Sequence, residues 1–508
     1  MKLRSILLGL SCCLLLTFLS SAGPSTLIRN ILLIDGSGNA PYPTSIRIQD
    51  RKILAIGDLK ALKNEKIIDG KGHCLAPGFI DSHSHHFADL QRNPNALSTA
   101  SQGITTIVIG QDGESLPMAV LQQKLKSQPV AVHIASYTGH TSLREQSMGE
   151  KNLLRSASQS EIDAMKKLLT QDLAQGSLGL STGLEYEGAF YSTRDEVLQL
   201  AHVTAAANGR YISHIRSEDI TLADALDEII QIGRIAKIPV QISHIKLAKK
   251  GDWGQATNIL KQLDQARQAG IDITADIYPY NFWHSTPRIL FPKRDYKNLE
   301  SAEFATQELF DPSASTLVRY APKPEYAGKT ISQIAQLRNE SPAQSLMAII
   351  ALSEEFREKN PNFTGTVEAI TGKSMLDADV TTFLQWPHAN ICSDGNAGAH
   401  PRGYGTFTRI LGRYVREQQA LTLAEAIHKM TGLTAKHLGI QDRGIIAPGK
   451  VADLVLFDPN TVLDHATIQQ PQALSTGIES VWVNGEIVYQ NQQSTGKRPG
   501  TLLKRTHE

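Results

Sequence analysis

The sequence predicts an α/β fold: a (β/α)8 TIM-like barrel, a small β-sandwich built from both chain ends, and an inserted subdomain before the last barrel strand. Three observations predict it. Eight short apolar runs alternate with helical segments, at 78–81, 105–109, 130–134, 178–181, 211–214, 239–243, 271–276 and 390–393; parallel strands with crossover helices require this alternation. The two ends of the chain read instead as β alone. Reactive side chains recur just beyond the apolar runs, where a barrel places its chemistry. A doubly wound sheet is the alternative with the same alternation.

The elements follow in order. Residues 1–22 carry Lys2 and Arg4, an apolar run over 6–19, and Ser20-Ser21-Ala22 before Gly23, the pattern of a cleaved secretory signal. An uncleaved anchor is disfavoured because the run is shorter than about 18 residues and interrupted by Gly9 and Ser11. Cys12 and Cys13 raise lipidation, but the apolar run continues past them. The expectation is an exported, periplasmic or secreted protein with no membrane attachment after cleavage. Residues 24–76 and 440–495 are expected to form the sandwich; Asn484-Gly485 is a hairpin turn between β-branched runs. Residues 77–439 are the barrel, with 283–380 as the insertion, too long for a loop and helical in pattern. Thr193 with Glu196 and Thr422 with Glu425 mark helix starts by capping boxes. Leu222, Leu226, Ile229, Ile230 and the run Ile232 to Ile235 give one helix its apolar face. Cys74 and Cys392 lie in strand-like contexts and are expected to be buried free thiols.

Composition bounds the partners. The 508 residues include 51 Lys and Arg against 50 Asp and Glu. No basic excess points to nucleic acid or an anionic membrane. The oligomeric state is not legible.

His83 and His85 stand one residue apart after a short buried strand. On an extended chain, residues two apart face the same way, so the two imidazoles form a ligand pair for one divalent ion such as zinc. A solvated histidine cluster is the competing account, since His86 follows. Further strand ends change the balance: Asp112 after 105–109, His214 after Arg210-Tyr211-Ile212-Ser213, His244 after Val240-Gln241-Ile242-Ser243, and Asp394 after Asn390-Ile391-Cys392-Ser393. Four histidines and two aspartates at five strand ends are economically explained by coordination.

These motifs resemble the amidohydrolase superfamily, and more closely its N-acyl-D-amino-acid deacylase (D-aminoacylase) branch. The resemblance rests on Gly78-Phe79-Ile80-Asp81-Ser82-His83-Ser84-His85, Ser101-Gln102-Gly103-Ile104-Thr105-Thr106, and Gly179-Leu180-Ser181-Thr182-Gly183-Leu184-Glu185-Tyr186. It continues through Ser213-His214-Ile215-Arg216, Ser243-His244-Ile245-Lys246, Tyr278-Pro279-Tyr280, Ser393-Asp394-Gly395 and His400-Pro401-Arg402-Gly403-Tyr404-Gly405-Thr406-Phe407. It implies one or two zinc ions per chain, held by His83, His85, Asp112, His214 and His244, with Asp394 as general base and acid. The implied reaction is hydrolysis of the linear amide bond of an N-acyl-D-amino acid. It implies substrate contacts at Tyr186, Lys246, Tyr278, Ser285 and Arg402. The family's type deacylase carries cysteine where this chain has Asp112, so a carboxylate replaces a thiolate and could bridge two metals; a turn aspartate before Gly113 is the other account. Two alternatives stay open: a dipeptidase for peptides with a C-terminal D-residue, and a non-catalytic barrel binding protein. A cyclic amidase is disfavoured because no lysine sits at an obvious carboxylation position. Arg288 could read an acidic side chain or be a surface arginine.

Overall fold

The computed structural model describes residues 25–398 and 400–505; the expected signal segment lies outside them. The two chain ends share one nine-stranded sheet. Leu454–Phe457 pairs antiparallel with Cys74–Pro77, joining the C-terminal hairpins to the N-terminal strands Thr26–Leu33, Tyr42–Gln49 and Lys52–Gly57. One face carries its own apolar cluster, including Ile28, Ile46, Leu75, Leu454 and Trp482. The Asn484-Gly485 turn has both residues at positive φ, 51° and 75°, as a two-residue hairpin of right-handed twist demands.

Cys74–Pro77 runs directly into the first of eight parallel strands: β1 (Phe79–Asp81), β2 (Ile104–Ile109), β3 (His133–Ser136), β4 (Gly179–Gly183), β5 (Arg210–His214), β6 (Val240–Ile242), β7 (Ile273–Ile277) and β8 (Ala389–Ile391). β1, β2 and β3 pair in that order. Thr138–Gly139, one residue beyond β3, pairs with β4, and β4 to β8 follow in sequence. This order never reverses, unlike a doubly wound sheet at its switch point. All six residues of β2 are buried, as expected of a parallel strand covered on both faces. The third strand begins at His133 rather than 130, because the register is set by the pairing of Thr106 with His133. Cys74 and Cys392 are both free and buried.

Helices cover the strands. Leu222–Ala236 buries Leu222, Leu226, Ile229, Ile230 and Ile232, but Ile235 is half exposed on the far side. Thr422 and Glu425 form a full capping box. Thr193 caps its helix through Glu196 N, yet the Glu196 carboxylate turns inward to His140 at 2.8 Å and Arg144 at 2.5 Å. There a buried ion pair replaces the second half of the expected box. Between β7 and β8, a four-stranded antiparallel sheet and a separate apolar cluster around Phe291, Phe310, Leu346 and Ile370 occupy the expected insertion. The main core resumes before 380, at Met375, and Val380 and Phe383 of the helix Asp377–Gln385 also pack within it.

Asp453 locks the chain-end sheet to the parallel strands. Its carbonyl accepts from Gly78 N at 2.8 Å. Its buried carboxylate accepts from Asn484 N at 2.7 Å, faces His133 Nε2 at 3.3 Å and pairs with Arg443. Asp453→Ala leaves the buried Arg443 with only the exposed Asp442, and is expected to destabilise the fold by about 3 kcal/mol. The urea unfolding midpoint checks this; an unchanged midpoint would refute it.

Candidate metal centre and cleft

The strand ends converge. Asp81 closes β1 by accepting from Ser393 N at 2.7 Å and Ser393 Oγ at 2.6 Å; Asp394 N then donates to His83 O, and His85 N to Gly395 O, each at 2.9 Å. The segment beyond β8 is thereby tied to the segment beyond β1. Asp112, His244 and Asp394 all have left-handed backbones, with φ of 55°, 38° and 46°. Such conformations cost on the order of 1 kcal/mol or more at non-glycine residues and gather at functional sites. Gly183 makes room for the Asp112 turn: a Cβ there would stand 2.2 Å from Asp112 O.

Four side chains bring nitrogens and oxygens together at the spacing of a coordination shell. His83 Nε2 lies 3.2 Å from His85 Nε2. Asp112 Oδ2 is 3.2 Å from His85 Nε2 and 3.4 Å from His83 Nε2. Asp394 Oδ1 is 3.3 Å and 3.4 Å from the same two nitrogens. Ligands about 2.0–2.1 Å from a tetrahedral zinc stand about 3.3–3.4 Å from one another. A second group adjoins the first: His214 Nδ1 is 3.1 Å from His244 Nε2, which is 3.5 Å from Asp112 Oδ1. That Oδ1 is buried and has no hydrogen-bond partner. Asp112 therefore offers one oxygen to each histidine pair. A turn role and a ligand role are compatible in this residue, because the left-handed turn is what aims the carboxylate.

Two glutamates that the sequence did not single out complete the arrangement. Glu185 Oε2 meets His214 Nε2 at 2.8 Å. Glu218 Oε1 lies 3.0 Å from His244 Nδ1, which Lys246 Nζ also approaches at 2.5 Å. Ligation through His244 Nε2 needs the proton on Nδ1, and of these two neighbours only Glu218 can accept it. Carboxylates commonly orient metal-binding histidines in this way. Glu185 lies within the motif that ends in Tyr186, a signal that could have found it; nothing local marks Glu218 among 50 acidic residues.

The centre opens into a cleft of about 310 Å³ lined by Tyr186, Lys246, Tyr278, Ser285 and Arg402 among others, with Trp283, Ile289, Leu290 and Leu309 as an apolar wall. Every expected substrate-contact residue thus lines one cavity. Both lining cations have internal partners: Lys246 Nζ donates to Glu218 at 2.7 and 2.9 Å, and Arg402 Nη1 to Asp394 Oδ2 at 2.7 Å. The Tyr278 ring sits 4.8 Å from the Arg402 guanidinium carbon, and its buried hydroxyl has no hydrogen-bond partner. Arg288 does not line the cleft; Glu187, Glu354 and Glu368 surround it at 3.2–3.4 Å.

The model of the amidohydrolase family matches residues 66–307 and 327–489. The chain belongs to the amidohydrolase family. It is similar to the N-acyl-D-glutamate deacylase of Alcaligenes xylosoxydans xylosoxydans, 33% identical, covering 93% of this chain and 95% of the relative. It is equally similar to the D-aminoacylase of the same organism, 33% identical, over 93% and 96% of the two chains. Among solved structures, it resembles the N-acyl-D-glutamate deacylase of Bordetella bronchiseptica complexed with zinc and a phosphonate inhibitor. There the TM-score is 0.82 and the identity 30%, covering 94% of this chain and 99% of that one.

The charges of this amidohydrolase call for a cation at the centre. Burial favours neutral carboxyls, yet His83 and His244 hold Asp112 well below the usual carboxylate range. Asp394 is likewise held low, chiefly by Arg402, against the effect of burial. Burial pushes the His85 imidazole down, but Asp112 and Asp394 carry its pKa up to about 10. His244 also reaches about 10: burial and Lys246 lower it, and Glu218, Asp394 and Asp112 outweigh them. A metal needs these imidazoles neutral, so binding must displace protons held up to about pH 10. Zinc affinity is therefore expected to rise between pH 6 and 9, by up to about tenfold per displaced proton per pH unit; a flat profile in chelator competition would exclude this balance. Asp112→Asn removes a charge that both histidine pairs share and is expected to lower the zinc content per chain, read by elemental analysis. Full zinc content in that variant would remove Asp112 from the ligand set.

Proposed function

We propose that this chain is a zinc-dependent N-acyl-D-amino-acid deacylase, hydrolysing the amide bond to release a carboxylic acid and a free D-amino acid. The observation that carries the reading is the coordination-shell spacing of His83, His85, Asp112 and Asp394, set in the same cleft as the Lys246 and Arg402 cations. The acyl substrate and the D configuration rest on the relatives. Zinc held by His83, His85, Asp112, His214 and His244 would supply Lewis acidity for an amide carbonyl and a lowered pKa for water.

The chain's own groups do the rest. Arg402 keeps Asp394 ionised and available to accept the proton of the attacking water. It also makes protonated Asp394 a strong donor to the departing nitrogen. The substrate α-carboxylate falls to Lys246 and Arg402, with Arg402 offering a planar fork. Tyr278 brings an unpartnered hydroxyl to the substrate carbonyl or carboxylate, and Tyr186 and Ser285 flank it in the cleft. A second reading, a dipeptidase for peptides ending in a D-residue, is favoured by one feature: Glu114, Glu185 and Asp219 also line the cleft. A dipeptide brings an ammonium group for those acids; an acetylated substrate does not.

The same reading extends to architecture and place. The eight parallel strands are taken as one (β/α)8 barrel, supported by their sequential order and by the backbone bonds that return from the end of β8 to the end of β1. The chain-end sheet is taken as the small sandwich domain and the segment before β8 as the inserted subdomain, supported by their separate apolar clusters. Export rests on the N-terminal sequence pattern. Among the described residues, no helix is long and apolar enough to cross a membrane.

Hydrolysis of N-acetyl and N-aminoacyl forms of D- and L-amino acids tests the assignment. N-acetyl-D-amino acids are expected to turn over and their L-forms not. Preference for aminoacyl substrates would favour the dipeptidase. Absence of both zinc and hydrolysis would leave a binding protein. Asp394→Asn is expected to cut kcat by about 10²–10⁴-fold; a fully active variant would remove the proton shuttle.

A further inference from the structure

Asp276, on β7, takes no part in the chemistry above, yet it is fully buried against the metal centre. Its Oδ1 accepts from His244 N at 2.6 Å and Cys392 Sγ at 3.1 Å, and lies 3.8 Å from His83 Nδ1, which has no hydrogen-bond partner. Its backbone carbonyl accepts from Ile245 N at 2.9 Å. Asp276 thus grips both sides of the strained residue His244. Its Oδ2 accepts from Gln241 Nε2 at 2.6 Å; Gln241 Oε1 accepts from Asn390 Nδ2 at 3.1 Å; Asn390 Oδ1 faces His437 Nδ1 at 2.6 Å. All four side chains are buried. Each amide in this chain has its donor and acceptor ends dictated by the next.

We propose that Asp276 is a positioning residue for the metal centre: it holds His244 in its left-handed conformation and offers His83 a carboxylate. The buried chain through Gln241, Asn390 and His437 keeps an acceptor facing His244. The inference rests on the metal-centre reading, not on the substrate.

The hydrogen-bond polarity supplies a test. In Asp276→Asn, Gln241 Nε2 still seeks an oxygen, which turns the new amide nitrogen toward His244 N, donor against donor. Adding Gln241→Glu reverses the demand. The introduced carboxylate needs a donor, so the introduced amide turns its nitrogen to it and its oxygen back to His244 N. Zinc affinity is measured by chelator competition on wild type, the single variant and the double variant, with the melting curve of each metal-free protein. The expected result is a loss of about 10- to 100-fold in the single variant, with most of it restored in the double. Wild-type affinity in the single variant overturns the proposal, as does a folded double variant that binds no better than the single. If the single variant does not fold, the double decides: near-wild-type affinity supports the role, and weak affinity overturns it. Loss of folding in both would assign Asp276 to the fold instead. A wild-type chain that binds no zinc would sink the metal-centre reading itself, a separate outcome.

Discussion

The site depends on one carboxylate facing two ways. Asp112 Oδ2 looks toward His83 and His85, and its Oδ1 toward His244, beside His214. Without that shared charge, four closely spaced imidazoles would lose the one carboxylate that faces both pairs, leaving Asp394, Glu185 and Glu218 to offset their mutual repulsion when protonated. A carboxylate can serve both pairs because its two oxygens diverge.

Holding that carboxylate requires backbone conformations that ordinary strands do not adopt. Asp112, His244 and Asp394 each leave a strand through a left-handed residue. The surrounding hydrogen bonds sustain the strain: Asp276 at His244, the return from Asp394 N to His83 O, and the close approach of Gly183 to the Asp112 turn. Three such residues at one mouth, on different strands, fit a framework whose rigidity is spent on aiming side chains.

The cleft charges are balanced internally before any substrate arrives. Lys246 is neutralised by Glu218 and Arg402 by Asp394. In the proposed function a substrate carboxylate at Lys246 and Arg402 would share these cations with Glu218 and Asp394, which would couple its binding to the ionisation of Asp394 and to the orientation of His244. Arg288, surrounded by three glutamates outside the cleft, is not positioned to read an acidic side chain. The apolar wall of Trp283, Ile289, Leu290 and Leu309 comes from the segment before β8.

Much of this was legible in the sequence because it is written locally. Strand runs, the Asn484-Gly485 turn, the His83/His85 pair and the reactive residues after successive strands depend on neighbours a few positions apart, and periodicity exposes them. The cap at Thr193 shows the limit: the motif marks the helix start, but the Glu196 side chain answers to His140 and Arg144, more than fifty positions away. Glu218 and Asp276 were not legible for the same reason. Each is one acid among many, and only folding brings it beside a particular imidazole nitrogen or backbone N–H. Local order along the chain settles which elements form and which residue types stand at their ends. Which oxygen faces which nitrogen is settled on folding, because those pairings join strands distant along the chain, and their directions follow from packing rather than from local preference.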